Sequence, residues 1–180
     1  MIYVHLAEGF EEVEALTAVD VLRRAECDAK LVSVTGSMVV TGTHGIPVQA
    51  DLLFEDADYE NCEMIVLPGG LPGATNLLEH KGLKAQIEAF AAAGKWLAAI
   101  CAAPMVLGAH GVLRGKKATI YPEMEEHLIG AEPTGETVTV DGNVITGQGP
   151  ALAMEFALQL LEALKGREVR DEVASDMLYE

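Results

Sequence analysis

Basic residues are scarce in this sequence. Its 180 positions hold 12 lysines and arginines against 28 aspartates and glutamates, a formal charge of -16. A phosphate backbone would be repelled unless the cations clustered. They do not: only short runs such as Arg23-Arg24 and Lys116-Lys117 occur, and each reads as a solvated face. No nucleic-acid partner is expected. Long apolar runs are missing too, none approaching the ~18 to 20 residues that cross a bilayer, so no membrane partner is expected either. The opening MIYVHLAEGFEE turns acidic before a secretory h-region could form, which places the start of the fold at the first residues. Cysteine is sparse. Cys27, Cys62 and Cys101 are widely and oddly spaced, matching neither a disulfide framework nor a zinc motif, as in a reducing cytoplasm. No histidine and carboxylate spacing suggests a metal site, and no cofactor is expected. Repeats, low-complexity tracts and long linkers are absent, so residues 1–180 are predicted to form a single domain.

What is present is an alternation of short β-rich runs and helical stretches. IYVHLA at 2–7, AKLVSV at 29–34, EMIVLPGG at 63–70 and KWLAAIC at 95–101 read as parallel strands. IVLPGG and LAAIC are almost continuously apolar, as in central strands covered by helices on both faces. Val13, Leu16, Val19 and Leu22 recur at helical spacing, as do Leu83, Ile87 and Phe90, and mark crossover helices. Two hairpins, around 38–49 and 137–149, read as edge decorations, the second with a type I′ turn at Asp141-Gly142. ALAMEFALQLLEALKG after Pro150 predicts a long helix closed by Gly166, and REVRDEVASDML a last helix. The fold class is α/β: a flavodoxin-like three-layer sandwich, mostly parallel, with short hairpin additions. Function in such sheets gathers beyond the carboxyl ends of the strands.

At that edge Cys101 ends an apolar strand and is followed by AAPMVLGAHG, whose small residues and early proline suit a first helical turn. This is the pattern of a nucleophile elbow. A helix N-terminus favours negative charge, so the thiol is expected to ionise easily. The plain alternative is a small buried core cysteine, which fits Cys27 and Cys62 better. Gly69 and Gly70, after another central strand, and the Ala102 amide are candidate oxyanion donors; an ordinary glycine-rich loop is the bland reading. Of Glu8, Glu11, Glu12 and Glu14, most should be solvated, Glu11 and Glu12 being explained by the helix dipole. Glu14, between Val13 and Ala15, is the one expected to face the interior, protonated and hydrogen-bonded to the thiolate. No histidine base is well placed: His5, His80, His110 and His127 read as structural or solvated. His44 alone could approach the crevice, from its hairpin or from a second subunit.

Together LAEGFEEVEALTAVDVLRRA, IVLPGGLPGATNL, AAICAAP and GQGPALAMEFALQLLEALKG resemble the DJ-one/ThiJ/PfpI superfamily, in particular its short DJ-one-like, bacterial-type branch. The resemblance implies that Cys101 is an oxidisable nucleophile, Glu14 its protonated partner, and Gly70 and Ala102 the amide donors. It also implies a homodimer with Asp20 and Arg24 near the interface. Peptidase relatives carry a histidine directly after the nucleophile, where this chain has Ala102, so proteolysis is disfavoured. Tyr121 stands where many members have a histidine, and the arginines of the family's small-anion site are replaced by His44 and Gln148. Two activities follow by resemblance. One is attack of Cys101 on a small electrophilic carbonyl, a dicarbonyl such as methylglyoxal, in a glyoxalase or deglycase reaction. The other is non-enzymatic: oxidation of Cys101 by peroxide to a sulfinate in a redox-responsive protein. A binding protein with a vestigial elbow is the bland third.

Overall fold

Strands apolar on both faces need cover on both sides, and that requirement sets the layers of this molecule. The computed structural model describes residues 1–179. In chain order it contains β1 (Ile2–Leu6), α1 (Glu12–Arg24), β2 (Ala29–Ser33), β3 (Val39–Thr41), β4 (Pro47–Gln49), β5 (Leu52–Leu53) and β6 (Met64–Leu67). Then come α2 (Gly73–Glu79), α3 (Lys81–Ala93), β7 (Trp96–Ile100), α4 (Pro104–Ala109), β8 (Lys117–Ala118) and β9 (Glu132–Pro133). The chain closes with β10 (Val138–Asp141), β11 (Val144–Gly147), α5 (Ala153–Lys165) and α6 (Arg167–Asp176). Seven strands form one sheet in the order β10-β11-β7-β6-β1-β2-β5. Neighbours run parallel except β10 against β11.

The alternation of side chains along each strand divides the core in two. Val4, Leu6, Met64, Val66, Ala98 and Ile100 join Leu22, Phe156, Leu160 and Val173 on one face. Tyr3, Ile65, Leu67, Leu97 and Ala99 join Leu77, Leu83, Ile87 and Phe90 on the other. The result is a flavodoxin-like sandwich, with α1, α5 and α6 on one side and α2, α3 and α4 on the other.

Three expectations are corrected. The helical stripe on α1 is offset: Val19 and Leu22 are buried, but Val13 and Leu16 are 51% and 41% exposed, and Ala15, Ala18 and Val21 take the inward positions. The small side chains let α1 lie close to α5 and the sheet. The second hairpin is no mere decoration, because β11 is fully buried and pairs in parallel with β7 inside the main sheet. Its turn differs as well. Of the two loop residues only Gly142 has positive φ, at 59°, which is the II′ rather than the I′ pattern. The first hairpin, β3 with β4, stands apart as its own two-stranded sheet.

Candidate active site

The carboxyl ends of β1, β6 and β7 point the same way, so the loops that follow them converge. After β7, Cys101 adopts φ +63°, a left-handed conformation that a non-glycine side chain rarely holds, and Pro104 then opens α4. The strained turn is fixed by the backbone: the Cys101 amide donates to the Gly147 carbonyl and its carbonyl accepts from the Tyr121 amide at 2.9 Å. The sulfur lines a cavity of about 360 Å³ together with Gly70, Ala102, Tyr121, Glu11 and His44.

Glu14 reaches this point from the first turn of α1. Its Oε2 accepts from the Gly69 amide at 2.7 Å. Its Oε1 is buried without a hydrogen-bond partner among the described residues, and the Cys101 thiol is among the groups that act on the carboxyl. Burial pushes the Glu14 carboxyl up to about 7; the Gly69 amide and the thiol oppose that rise, and the nearby Glu11 adds to it. Glycine is required at 69, since a Cβ there would lie 2.6 Å from Cys101 Cβ and 2.8 Å from Glu14 Oε2. The amide of Gly69 therefore serves the carboxyl group and is not an oxyanion donor, which corrects the expectation for it. Those of Gly70, at φ +84°, and Ala102 instead act on the Cys101 sulfur.

The thiol itself departs from expectation. Burial pushes Cys101 up to about 12, with the charge of Glu14 the second cause, and the Gly70 and Ala102 amides only partly offset them. Desolvation outweighs the favourable turn, so the thiol holds its proton more tightly than a free cysteine. The Glu14 carboxyl is the titratable group beside it.

Two glutamates expected in solvent are buried. Glu11 caps α1, its Oε1 accepting from the Val13 amide at 3.3 Å. Glu12 is wrapped by the loop between β3 and β4: its Oε1 accepts from the His44 amide and its Oε2 pairs with His44 Nδ1, both at 2.8 Å. The Gly42 position has no room for a Cβ beside this carboxylate. His44 thus reaches the cavity from its own chain's hairpin, 32 residues from Glu12. No local spacing in the sequence announces the pair. Glu11, Glu12 and His44 place three possible metal-ligating atoms within 4.8 Å of one another, but Glu12 and His44 Nδ1 already satisfy each other.

Tyr121 lines the cavity as expected and is half exposed. Gln148 does not: its Nε2 donates to the Gly135 carbonyl at 3.1 Å. Asp20 and Arg24 form an exposed pair one turn apart on α1, at 2.9 Å. Cys27 and Cys62 are buried free thiols, and no helix among the described residues is long and apolar enough to cross a membrane.

Comparison with known proteins places this arrangement in context. A sequence profile described as the DJ-1/PfpI family matches residues 1–163. Protein DJ-1 homolog A of Arabidopsis thaliana is 39% identical over 98% of this chain. The chain spans 46% of that protein and 38% of Protein DJ-1 homolog B from the same plant, less than half of either. Deglycase PH1704 of Pyrococcus horikoshii is 32% identical over 88% of this chain and 96% of its own length. Oxidised Toxoplasma gondii DJ-1 superposes with a TM-score of 0.95 at 36% identity, covering 99% of this chain and 97% of that one.

Proposed function

The chain belongs to the DJ-1/PfpI family, and from that footing we propose that it is a cysteine enzyme acting on small reactive dicarbonyls, a glyoxalase or deglycase. One observation carries the reading: a buried carboxyl held near 7 faces a nucleophilic atom that opens on a cavity, with two amides aimed at the same spot. A general base is most effective when its proton affinity matches the working pH. Glu14 takes the Cys101 proton as the sulfur attacks the aldehyde carbon, and the charge passes to the carbonyl oxygen. The Gly70 and Ala102 amides donate to that oxygen. Glu14 returns the proton to the oxygen, giving a hemithioacetal. It then moves a proton from that carbon to its neighbour, isomerising the adduct to the thioester of a 2-hydroxy acid, which water releases. The similarity to a deglycase favours this chemistry.

Incubation with methylglyoxal, without glutathione, should yield lactate, and Cys101→Ser should lower the yield by at least ~10²-fold. Equal yields from the two proteins would refute the reading.

The likeness to oxidised Toxoplasma gondii DJ-1 favours a second use of the same sulfur, as a peroxide-responsive group taken to a sulfinate. Mass spectrometry after peroxide should then show two added oxygens on Cys101 before Cys27 or Cys62; oxidation of all three in step would count against it. We also read Val13 and Leu16, exposed on the α1 face that carries Asp20 and Arg24, as the contact surface of a homodimer. Leu16→Asp should yield a monomer in sedimentation, and an unchanged sedimentation coefficient would remove that surface from consideration.

A further inference from the structure

We propose that His44, oriented by Glu12, is the general base that activates water to release the acyl group from Cys101. The inference rests on the reading of Cys101 as a nucleophile toward carbonyls and adds the residue that reading lacks. Release of a thioester needs a base on the open side of the cavity. Ala102 offers none, Tyr121 carries a phenol, and Glu14 is buried against the sulfur on the protein side.

His44 lines the same cavity as Cys101, and its position is built rather than incidental. The Glu12 carboxylate, buried under the hairpin loop, accepts from the His44 amide and from His44 Nδ1 at 2.8 Å each. The loop is tied to the thiol side as well: the Thr43 amide donates to the Phe10 carbonyl at 2.8 Å, and Thr43 Oγ1 to the Leu71 carbonyl at 3.1 Å. Because a carboxylate can only accept, the neutral imidazole carries its hydrogen on Nδ1 and leaves the Nε2 lone pair available. Nε2 has no hydrogen-bond partner among the described residues. An imidazole oriented by a buried carboxylate thus shares the cavity with Cys101, the three residues coming from a hairpin tip, a helix start and a strand end.

In the proposed step Nε2 takes a proton from water as the water oxygen bonds to the thioester carbon. The carbon–sulfur bond then breaks, its electron pair and the imidazolium proton go to Cys101, and the acid product loses its own proton to solvent. The charged and titratable groups facing His44 are Glu12 and Glu11 from α1, the latter at 3.5 Å, and Cys101 and Tyr121 across the cavity. Both glutamates raise the proton affinity of the imidazole, so release should speed up as pH rises and His44 loses its proton.

The test separates acylation from release with 4-nitrophenyl acetate. The wild type should show a burst of nitrophenolate equal to the enzyme, then slower turnover. His44→Ala should keep the burst and lose at least about tenfold in the steady rate, general bases being worth ~10²–10⁴-fold. Added imidazole should restore part of that loss, which a purely structural role would not allow. Glu12→Gln should move the rise in rate to lower pH. An unchanged steady rate in His44→Ala, a loss without imidazole rescue, or a lost burst would overturn the inference while leaving the role of Cys101 intact. Absence of a burst in the wild type would instead bring down the nucleophile reading and this inference with it.

Discussion

Cys62 and Cys101 flank opposite ends of the neighbouring parallel strands β6 and β7, and in both burial raises the proton affinity of the thiol, to about 11 and about 12. By that measure the two thiols are alike. Their surroundings differ. Cys62 is 1% exposed and donates to the Met64 carbonyl at 3.2 Å, so its one hydrogen is committed and nothing can approach it. Cys101 opens on a cavity and has the raised Glu14 carboxyl beside it. On the proposed function, what sets Cys101 apart is a neighbouring carboxyl and an access route rather than easy ionisation.

Alkylation by iodoacetamide gives the widest separation of the two thiols. Cys101 should react at a rate that climbs with pH through about 7, as Glu14 ionises and becomes able to accept the thiol proton. Cys62 should stay unmodified until the protein unfolds. Glu14→Gln should lower the Cys101 rate at neutral pH by roughly tenfold or more and abolish the rise near 7. Peptide mapping of the modified protein reads both sites at once, and equal labelling of Cys62 and Cys101 would break the comparison.

Stability as a function of pH sharpens it next. Glu14 holds its proton more tightly folded, at about 7, than an ordinary carboxyl at 4.5. The associated stability is fully present below about 4.5 and is lost as pH rises through about 7. A shift of this size corresponds to ~3 kcal/mol at most. Urea unfolding should thus find Glu14→Gln close to wild type near pH 4 and more stable by up to ~3 kcal/mol at pH 8. A wild type that gains stability between those limits relative to the variant would contradict the assignment.

The smallest effect is conformational. Cys62→Ala removes a packed buried sulfur and should cost about 1 kcal/mol. Cys101→Gly relieves the positive φ of the elbow and should be neutral or gain about 1 kcal/mol, although the proposed nucleophile is gone. Thermal melts of the two variants in opposite directions would show that the elbow is held in strain for the sake of the site.

Much of the fold is legible in the amino-acid order. The strands at 2–7, 29–34, 63–70 and 95–101, the helices over 83–90 and after Pro150, and the cap at Gly166 all appear where periodicity and turn residues put them. The position of Cys101 at a strand-to-helix turn, and of Glu14 on the inward side of α1, is equally local information. The errors share one character. Val13 and Leu16 fit a helical stripe but face outward, Gly69 has the right type for an oxyanion donor but gives its amide to Glu14, and Glu12 looks like a solvated first-turn acid but lies under a hairpin.

The chain by itself determined its layers, its elbow and the carboxyl that faces it, because periodicity and turn chemistry act between residues a few positions apart. Only the packed structure decided how tightly the thiol holds its proton and which histidine joins the site. Desolvation depends on everything that surrounds a group, and the meeting of Glu12 with His44 depends on a hairpin folding back over a helix 32 residues away.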